Sequence, residues 1–268
     1  MFFFCIKKNF YDGWDNLFLI ALINVIILLI AALFFFAGQN VYKNFASAEN
    51  PLPLYAIAVL AFFTLAVLLF ASGKVTAEVA NYKSQTIKDF FESIAATWKR
   101  AILSAVVFAA FIGVVFISFN FYIHLQVQPV FGYFLAAVVF WLFLITAFSM
   151  QYFIPLNFLQ DNTFAKALKK SFILFFDNPA YSIFFGIYLV LLAIISVVPC
   201  LFLFPSFSGI ILAQTNSLKL RLYKYDWLEA QNAATTRSKH IPWDELIAED
   251  RETVGNRSLK NFIFPWKD

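Results

Sequence analysis

Ser84-Gln-Thr-Ile-Lys-Asp-Phe-Phe-Glu-Ser-Ile-Ala-Ala-Thr-Trp-Lys-Arg100 runs, with no Gly or Pro at the junction, into the uncharged stretch Ala101 to Phe119. In its first half Ile87, Phe90, Phe91, Ile94 and Trp98 recur at spacings of three and four, while Lys88, Asp89, Glu92 and Lys99 take the opposite face. That is helical periodicity with a polar side. A mixed helix feeding into an apolar one is the pattern of a chain that lies along a membrane surface and then turns into the bilayer. A cousin returns at Thr163 to Val198. There Phe164, Leu168, Phe172 and Phe175 face away from Lys166, Lys169 and Lys170, and a second apolar run follows Asp177-Asn178-Pro179.

Working outward, the composition agrees with a lipid solvent. Of 268 residues 62% are hydrophobic, 13% charged and 20% aromatic, which excludes an ordinary soluble domain. The two cysteines, Cys5 and Cys200, are far apart and read as free thiols. The start, Met-Phe-Phe-Phe-Cys-Ile-Lys-Lys, places its cations after a very short apolar run and reads as an uncleaved N-terminus.

Hydrophobic runs of about 20 residues mark membrane spans. They fall at about 17–37, 54–72, 101–121, 130–153, 180–203 and 207–222, so the expected fold is an all-α membrane protein of six transmembrane helices, arranged as three hairpins. Amphipathic interfacial helices precede spans 3 and 5. Tyr11, Trp14 and Asp15 supply interface anchors and a cap for the first span, Gly73 and Lys74 close the second, and Pro155 ends the fourth. Residues 1–224 form the transmembrane domain and 225–268 a C-terminal tail.

Cations in short loops stay on the cytoplasmic side. With an inner N-terminus the inner segments hold Lys7, Lys8, Lys74, Lys83, Lys88, Lys99, Arg100, Lys166, Lys169, Lys170 and everything from Lys219 onward, against Lys43 alone outside. The expected location is the bacterial cytoplasmic (inner) membrane, with both termini cytoplasmic. The step of about 77 residues from Thr86 to Thr163 suggests a parallel repeat of surface helix, span, turn and span, with Phe2 to Phe10 as a worn third copy. Ordinary loop basicity imposed on any six-span chain gives a similar periodicity.

The six spans are read as free of ionisable side chains, which argues against a proton-coupled pump or a catalytic carboxylate pair in the bilayer. Their polar residues suit interhelical hydrogen bonds, each worth on the order of 1 kcal/mol. Asn24, Gln151, Gln214 and Asn216 are the candidates for a polar cavity open to the cytoplasm. Lys88, Lys99, Arg100, Lys166, Lys169 and Lys170 are candidate contacts to anionic headgroups. His124 and His240 lack neighbours at metal-ligand spacing, and no phosphate loop, catalytic triad or nucleic-acid signature is present, so no cofactor, metal or nucleic-acid partner is expected.

The tail is too short for a core of its own. Ile241 to Asp250 reads as a short helix with Pro242 in its first turn. Phe262, Ile263, Phe264 and Trp266 make a sticky cluster that either tucks under the bundle or serves as a docking peptide for a membrane or cytoplasmic protein partner.

The chain resembles the YesL-like bacterial membrane proteins, a family of unknown function. The resemblance covers most of the first 220 residues and rests on the Thr86 to Arg100 stretch entering a span, on Tyr152-Phe-Ile-Pro-Leu156 before a basic helix, and on Phe176-Asp-Asn-Pro179 before a last hairpin. Members of that family tend to carry a Pro-Thr break near the end of the second span, where this chain has Ala71-Ser-Gly-Lys-Val-Thr76. The resemblance implies an inner-membrane protein sometimes associated with carbohydrate uptake. Together these readings point to a non-enzymatic accessory or scaffold protein, with a small transporter or channel for a neutral solute as the alternative.

Overall fold

A computed structural model describes residues 2–45, 51–125, 128–198, 203–230 and 241–254, and among these every regular element is helical. The helices are α1 (Phe2–Asp15), α2 (Leu17–Asn44), α3 (Leu52–Ala80), α4 (Ile87–Ile123), α5 (Pro129–Met150), α6 (Phe153–Leu159), α7 (Phe164–Asp177), α8 (Pro179–Ile195), α9 (Ser206–Ala230), α10 (Trp243–Leu246) and α11 (Ala248–Val254).

Four segments are long and apolar enough to cross a membrane: Leu17–Asn44, Leu52–Ala80, Ile87–Ile123 and Pro129–Leu159. A fifth exists if α7 and α8, bent by 107° to each other, count as one broken span. The chain is a multi-pass membrane protein. The successive pairs α2 with α3, α3 with α4 and α4 with α5 pack side by side, so the long helices form a row. The proximal end of that row carries α1 and α9 to α11; the distal end carries the connections after α2 and α4.

The stretch Thr86 to Phe119 departs from its expected form. It does not lie flat and then turn: α4 is one unbroken helix of 37 residues, about 55 Å long at 1.5 Å per residue. Thr86 starts it with a capping box, accepting from the Asp89 amide while the Asp89 carboxylate accepts from the Thr86 amide. Nothing in Trp98-Lys-Arg-Ala101 can stop a helix. At the second copy the chain does turn, because the Asn178 side chain accepts from the Tyr181 amide and Pro179 fills the first helical position. One copy is straight and the other sharply bent, which weakens the parallel repeat.

Other boundaries move as well. α3 continues past Gly73 and Lys74 to Ala80, because residues there are buried by protein: Ala71, Val75 and Ala80 are in the core and Gly73 faces Ile154 so closely that a Cβ would meet it. Asp15 ends α1, and the residue before α2 is Asn16, with no side-chain cap. Helix α5 ends at Met150 but the fourth span continues through α6 to Leu159, and Pro155 sits in the first turn of α6, where no backbone donor is needed.

The sixth expected span departs most. α9 is not apolar enough to pass as a crossing helix, yet it is deeply enclosed, packing on α1, α2, α3, α6 and α8. Its N-terminus is fixed by Asn24, whose amide donates to the Leu203 and Pro205 carbonyls at 2.8 and 3.2 Å and whose Oδ1 accepts from the Ser208 amide at 2.9 Å. Ser72 of α3 meets Ser208 at 2.9 Å. α8 runs antiparallel to α9, with Tyr181 opposite Ser217 and Ser196 opposite Ser206. The tip of this hairpin is therefore level with Asn24 and Ser72, while α2 and α3 each extend 20 residues beyond it, to Asn44 and Leu52. That is roughly 30 Å of helix, the thickness of a hydrocarbon layer.

Candidate functional site

The polar interior of the protein is concentrated at the proximal end, in two charge clusters along α9. Lys8 is fully buried on α1. Its ammonium lies 2.9 Å from Asp12 Oδ2, one turn on, and 3.3 Å from Asp250 Oδ1 of α11, and it donates to the Tyr82 hydroxyl. Tyr82 in turn donates to Asp250 Oδ1. Lys219 of α9 donates to the Ala80 carbonyl at 2.7 Å, capping the end of α3, and stands 3.6 Å from the same Asp250 oxygen. Both ammoniums lie over the Tyr82 ring, at 3.9 and 4.6 Å from its centre.

Three members of this first cluster, Lys8, Asp12 and Tyr82, are set by local structure. Lys8 and Asp12 are i and i+4 on a helix that turns its polar face toward α9. Tyr82 adopts φ 59°, a left-handed conformation that costs a non-glycine residue about 1–2 kcal/mol. It holds its hydroxyl between Lys8 and Asp250. Burial pushes the Asp250 carboxyl up, and the Lys8 ammonium, the Tyr82 hydroxyl and Lys219 more than offset that, leaving it below the usual carboxylate range. Burial also raises Asp12, and here Lys8 and the Asn216 amide offset it only in part. Burial pushes the neighbouring Cys5 thiol up to about 12.

The second cluster holds the bend between α7 and α8. Asp177 Oδ2 accepts from Arg221 at 3.2 Å, Lys224 at 2.8 Å and Tyr225 at 2.8 Å. The buried Arg221 guanidinium also donates to the Tyr152 hydroxyl at 3.1 Å, which lies 2.9 Å from Ser182 Oγ. Gln151 donates to the Phe148 and Ser182 carbonyls at 2.7 and 3.0 Å. These contacts pin α9, α6 and the start of α8 together.

The four candidate cavity residues do not converge. Asn24 is spent on the hairpin tip, Gln151 ties α5 to α8, and Gln214 is half-buried on α9. Asn216 is fully buried beside Asp12, toward whose carboxylate its amide is the hydrogen-bonding neighbour. Asn216 stands eight residues from Ser208, the partner of Asn24, so the two asparagines act about 12 Å apart along α9.

Of the candidate headgroup contacts, Lys88, Lys99, Arg100, Lys166 and Lys169 are exposed. Lys88 pairs with Glu92 at 3.5 Å and Arg100 with Asp161 at 3.1 Å, while Lys170 donates to Gln160 at 2.6 Å. The tail cluster of Phe262, Ile263, Phe264 and Trp266 lies outside the described residues, as do Cys200 and His240. The helix expected at Ile241 to Asp250 is two short helices, α10 and α11.

Sequence reasoning missed Lys8, Asp12, Tyr82, Lys219, Arg221 and Asp250 as a site. The sixth span as bounded at 207–222 contains Lys219 and Arg221, so the reading of spans without ionisable groups holds for the first five only. The signal that was available is the Lys8 and Asp12 pair at helical spacing, polar residues on the same face of a short helix.

Clefts open at both ends of the molecule. One of about 560 Å³ opens between the distal halves of α2 and α3, with walls including Ala31, Phe35, Gly38, Ala58 and Ala61. Another, of about 310 Å³, lies beside the first charge cluster between α1, the turn around Tyr82 and Val254. Among the described residues no group of three His, Cys, Asp or Glu side chains could hold a metal ion. No family model, no curated protein and no solved structure matches this chain.

Proposed function

We propose that this protein is a non-enzymatic accessory or scaffold subunit of the bacterial inner membrane, with both termini cytoplasmic and the proximal end as its working face. The observation that carries this reading is the use of the polar groups. Asn24, Gln151, Lys8, Lys219 and Arg221 all fix one helix to another, and such a pattern builds a rigid platform. In this reading α8 and α9 form a re-entrant hairpin, entering and leaving on the cytoplasmic side, so that four crossings still leave both termini inside. The YesL-like resemblance extends the proposal to a role beside a carbohydrate uptake system.

The test is affinity purification of the full chain in mild detergent, beside a chain lacking residues 261–268. A membrane or cytoplasmic protein that co-purifies with the first and is lost with the second supports a docking tail. Recovery of this chain alone in both preparations overturns the accessory reading.

One observation favours the alternative of a small transporter or channel for a neutral solute: the buried Asn216 carbonyl oxygen accepts no hydrogen bond, as a group awaiting a ligand would. Substituting Asn24 and Asn216 with bulky residues then abolishes uptake of that solute. Unchanged uptake by folded variants removes the alternative.

A further inference from the structure

Asp250 is the only member of the first charge cluster, among the described residues, that does not belong to the bundle itself. It arrives on a segment of fourteen residues, 241–254, joined to α9 through residues 231–240. The segment rests on α1 and α9 and buries Ile247, Asp250 and Val254. A piece this short has no core of its own, so its carboxylate occupies a place that other elements have built.

That place is a concentration of donors. Lys8 and Lys219 bring two positive charges against the single carboxylate of Asp12, and the hydroxyls of Tyr82 and Tyr223 stand beside them. Asp250 fits it unevenly: Lys8, Lys219 and Tyr82 all crowd on Oδ1, and the Tyr223 hydroxyl is the one further hydrogen-bonding neighbour given to the carboxylate among the described residues. A tetrahedral oxyanion offers separate oxygens to donors that now share one, and charge-assisted bonds to such an anion are strong. Without an anion the site keeps an uncompensated buried cation, which is costly.

We propose that Lys8, Lys219, Tyr82 and Tyr223 form an oxyanion site, that Asp250 fills it as an internal ligand, and that a phosphate or phosphate-monoester group competes with Asp250 and releases α10 and α11. The phosphate could come free from solution or on a lipid headgroup. This inference does not depend on the accessory role, and the outcomes below do not involve co-purification.

The test uses the full chain in detergent and in lipid nanodiscs, wild type beside Asp250→Asn. Inorganic phosphate is titrated and followed by calorimetry. The expected result is binding at least about tenfold tighter to Asp250→Asn than to wild type, a difference of about 1.4 kcal/mol, and its loss when Lys219→Met is added. Binding of the variant only in nanodiscs containing phosphatidic acid, and not in phosphatidylcholine alone, assigns the headgroup as the source. A folded Asp250→Asn chain that binds neither form, or whose binding survives Lys219→Met, overturns the proposal. If Asp250→Asn does not fold, hydrogen exchange of the α11 amides in wild type decides: phosphate that speeds it supports displacement, and phosphate or phosphatidic acid that leaves it unchanged overturns it.

Discussion

The Asn24 side chain and the Ser208 amide meet at 2.9 Å, across 184 residues of sequence. With its two carbonyl partners at the same tip, this one asparagine sets how far the α8 and α9 hairpin reaches along α2. From a third helix, the Ser72 hydroxyl of α3 joins Ser208 at the same tip. Asn24→Leu keeps the volume and takes their partner from the Ser208 amide and the Leu203 carbonyl, the Pro205 carbonyl keeping the Gly209 amide at 2.8 Å, at a cost of about 1–3 kcal/mol per orphaned group after relaxation. The thermal midpoint in detergent falls by several degrees; an unchanged midpoint shows that the tip is held by packing alone.

Two helical glycines separate close approach from mere presence. A Cβ at Gly132 would meet the Tyr122 carbonyl oxygen at 2.5 Å, whereas at Gly113 there is nothing within 4 Å. Gly132→Ala therefore splays α5 from the end of α4 and costs roughly 1–3 kcal/mol. Gly113→Ala is neutral or stabilises by up to about 1 kcal/mol through helix propensity. Chemical unfolding of the two variants in the same detergent compares them directly.

Cys5 is fully buried and its thiol is pushed up to about 12, chiefly by that burial. The thiolate is the reactive form. In a Cys200→Ser background, maleimide labelling of Cys5 at neutral pH is slow in the folded protein and becomes fast on denaturation. Rapid labelling without denaturant contradicts the packing of α1 against α8 and α9.

Removing one partner of a buried pair typically costs about 3–5 kcal/mol, because the other charge stays behind. Lys8→Met strands Asp12, whose carboxyl burial already raises, while Asp250 keeps Lys219. Adding Asp12→Asn to Lys8→Met then recovers part of the loss, by more than Asp12→Asn alone changes the wild type. Thermal midpoints of the three variants test the sign of that coupling.

Acid acts on the same cluster. The folded-state carboxyl of Asp250 lies below its ordinary value, so its contribution is complete above the unfolded value near pH 4 and is lost as pH falls through the lower folded value. Asp12, being raised, works the opposite way and is relieved as it takes up a proton. Wild type should lose α11 protection from proteolysis below about pH 4, and Asp250→Asn should lack that acid limb.

Much of the architecture was legible because hydrophobic run length reports helix length almost directly: 17–37, 54–72, 101–121 and 130–153 each lie largely within one of the four long segments. The bend at Asp177-Asn178-Pro179 was also legible, since cap and proline act locally. What run length misses is depth. α9 is enclosed by protein, so it needs no lipid-facing apolar surface and can carry Lys219 and Arg221 where a span would not. Counting cations by loop treated Lys8 as a solvated marker of orientation, but its exposure is 0%. No local pattern could find Asp250, the partner that makes this burial tolerable, at the far end of the chain.

The separation of Lys8 from Asp250 also has a meaning in time. A ribosome adding about 5–20 residues per second releases the first helix roughly 10–50 s before the acid that completes its charge balance. Through that interval α1 has Asp12 but neither Lys219 nor Asp250, and its polar face cannot yet close. The long spans can insert one by one as they are made, whereas the proximal end assembles only at the finish, when the last described helix joins the first.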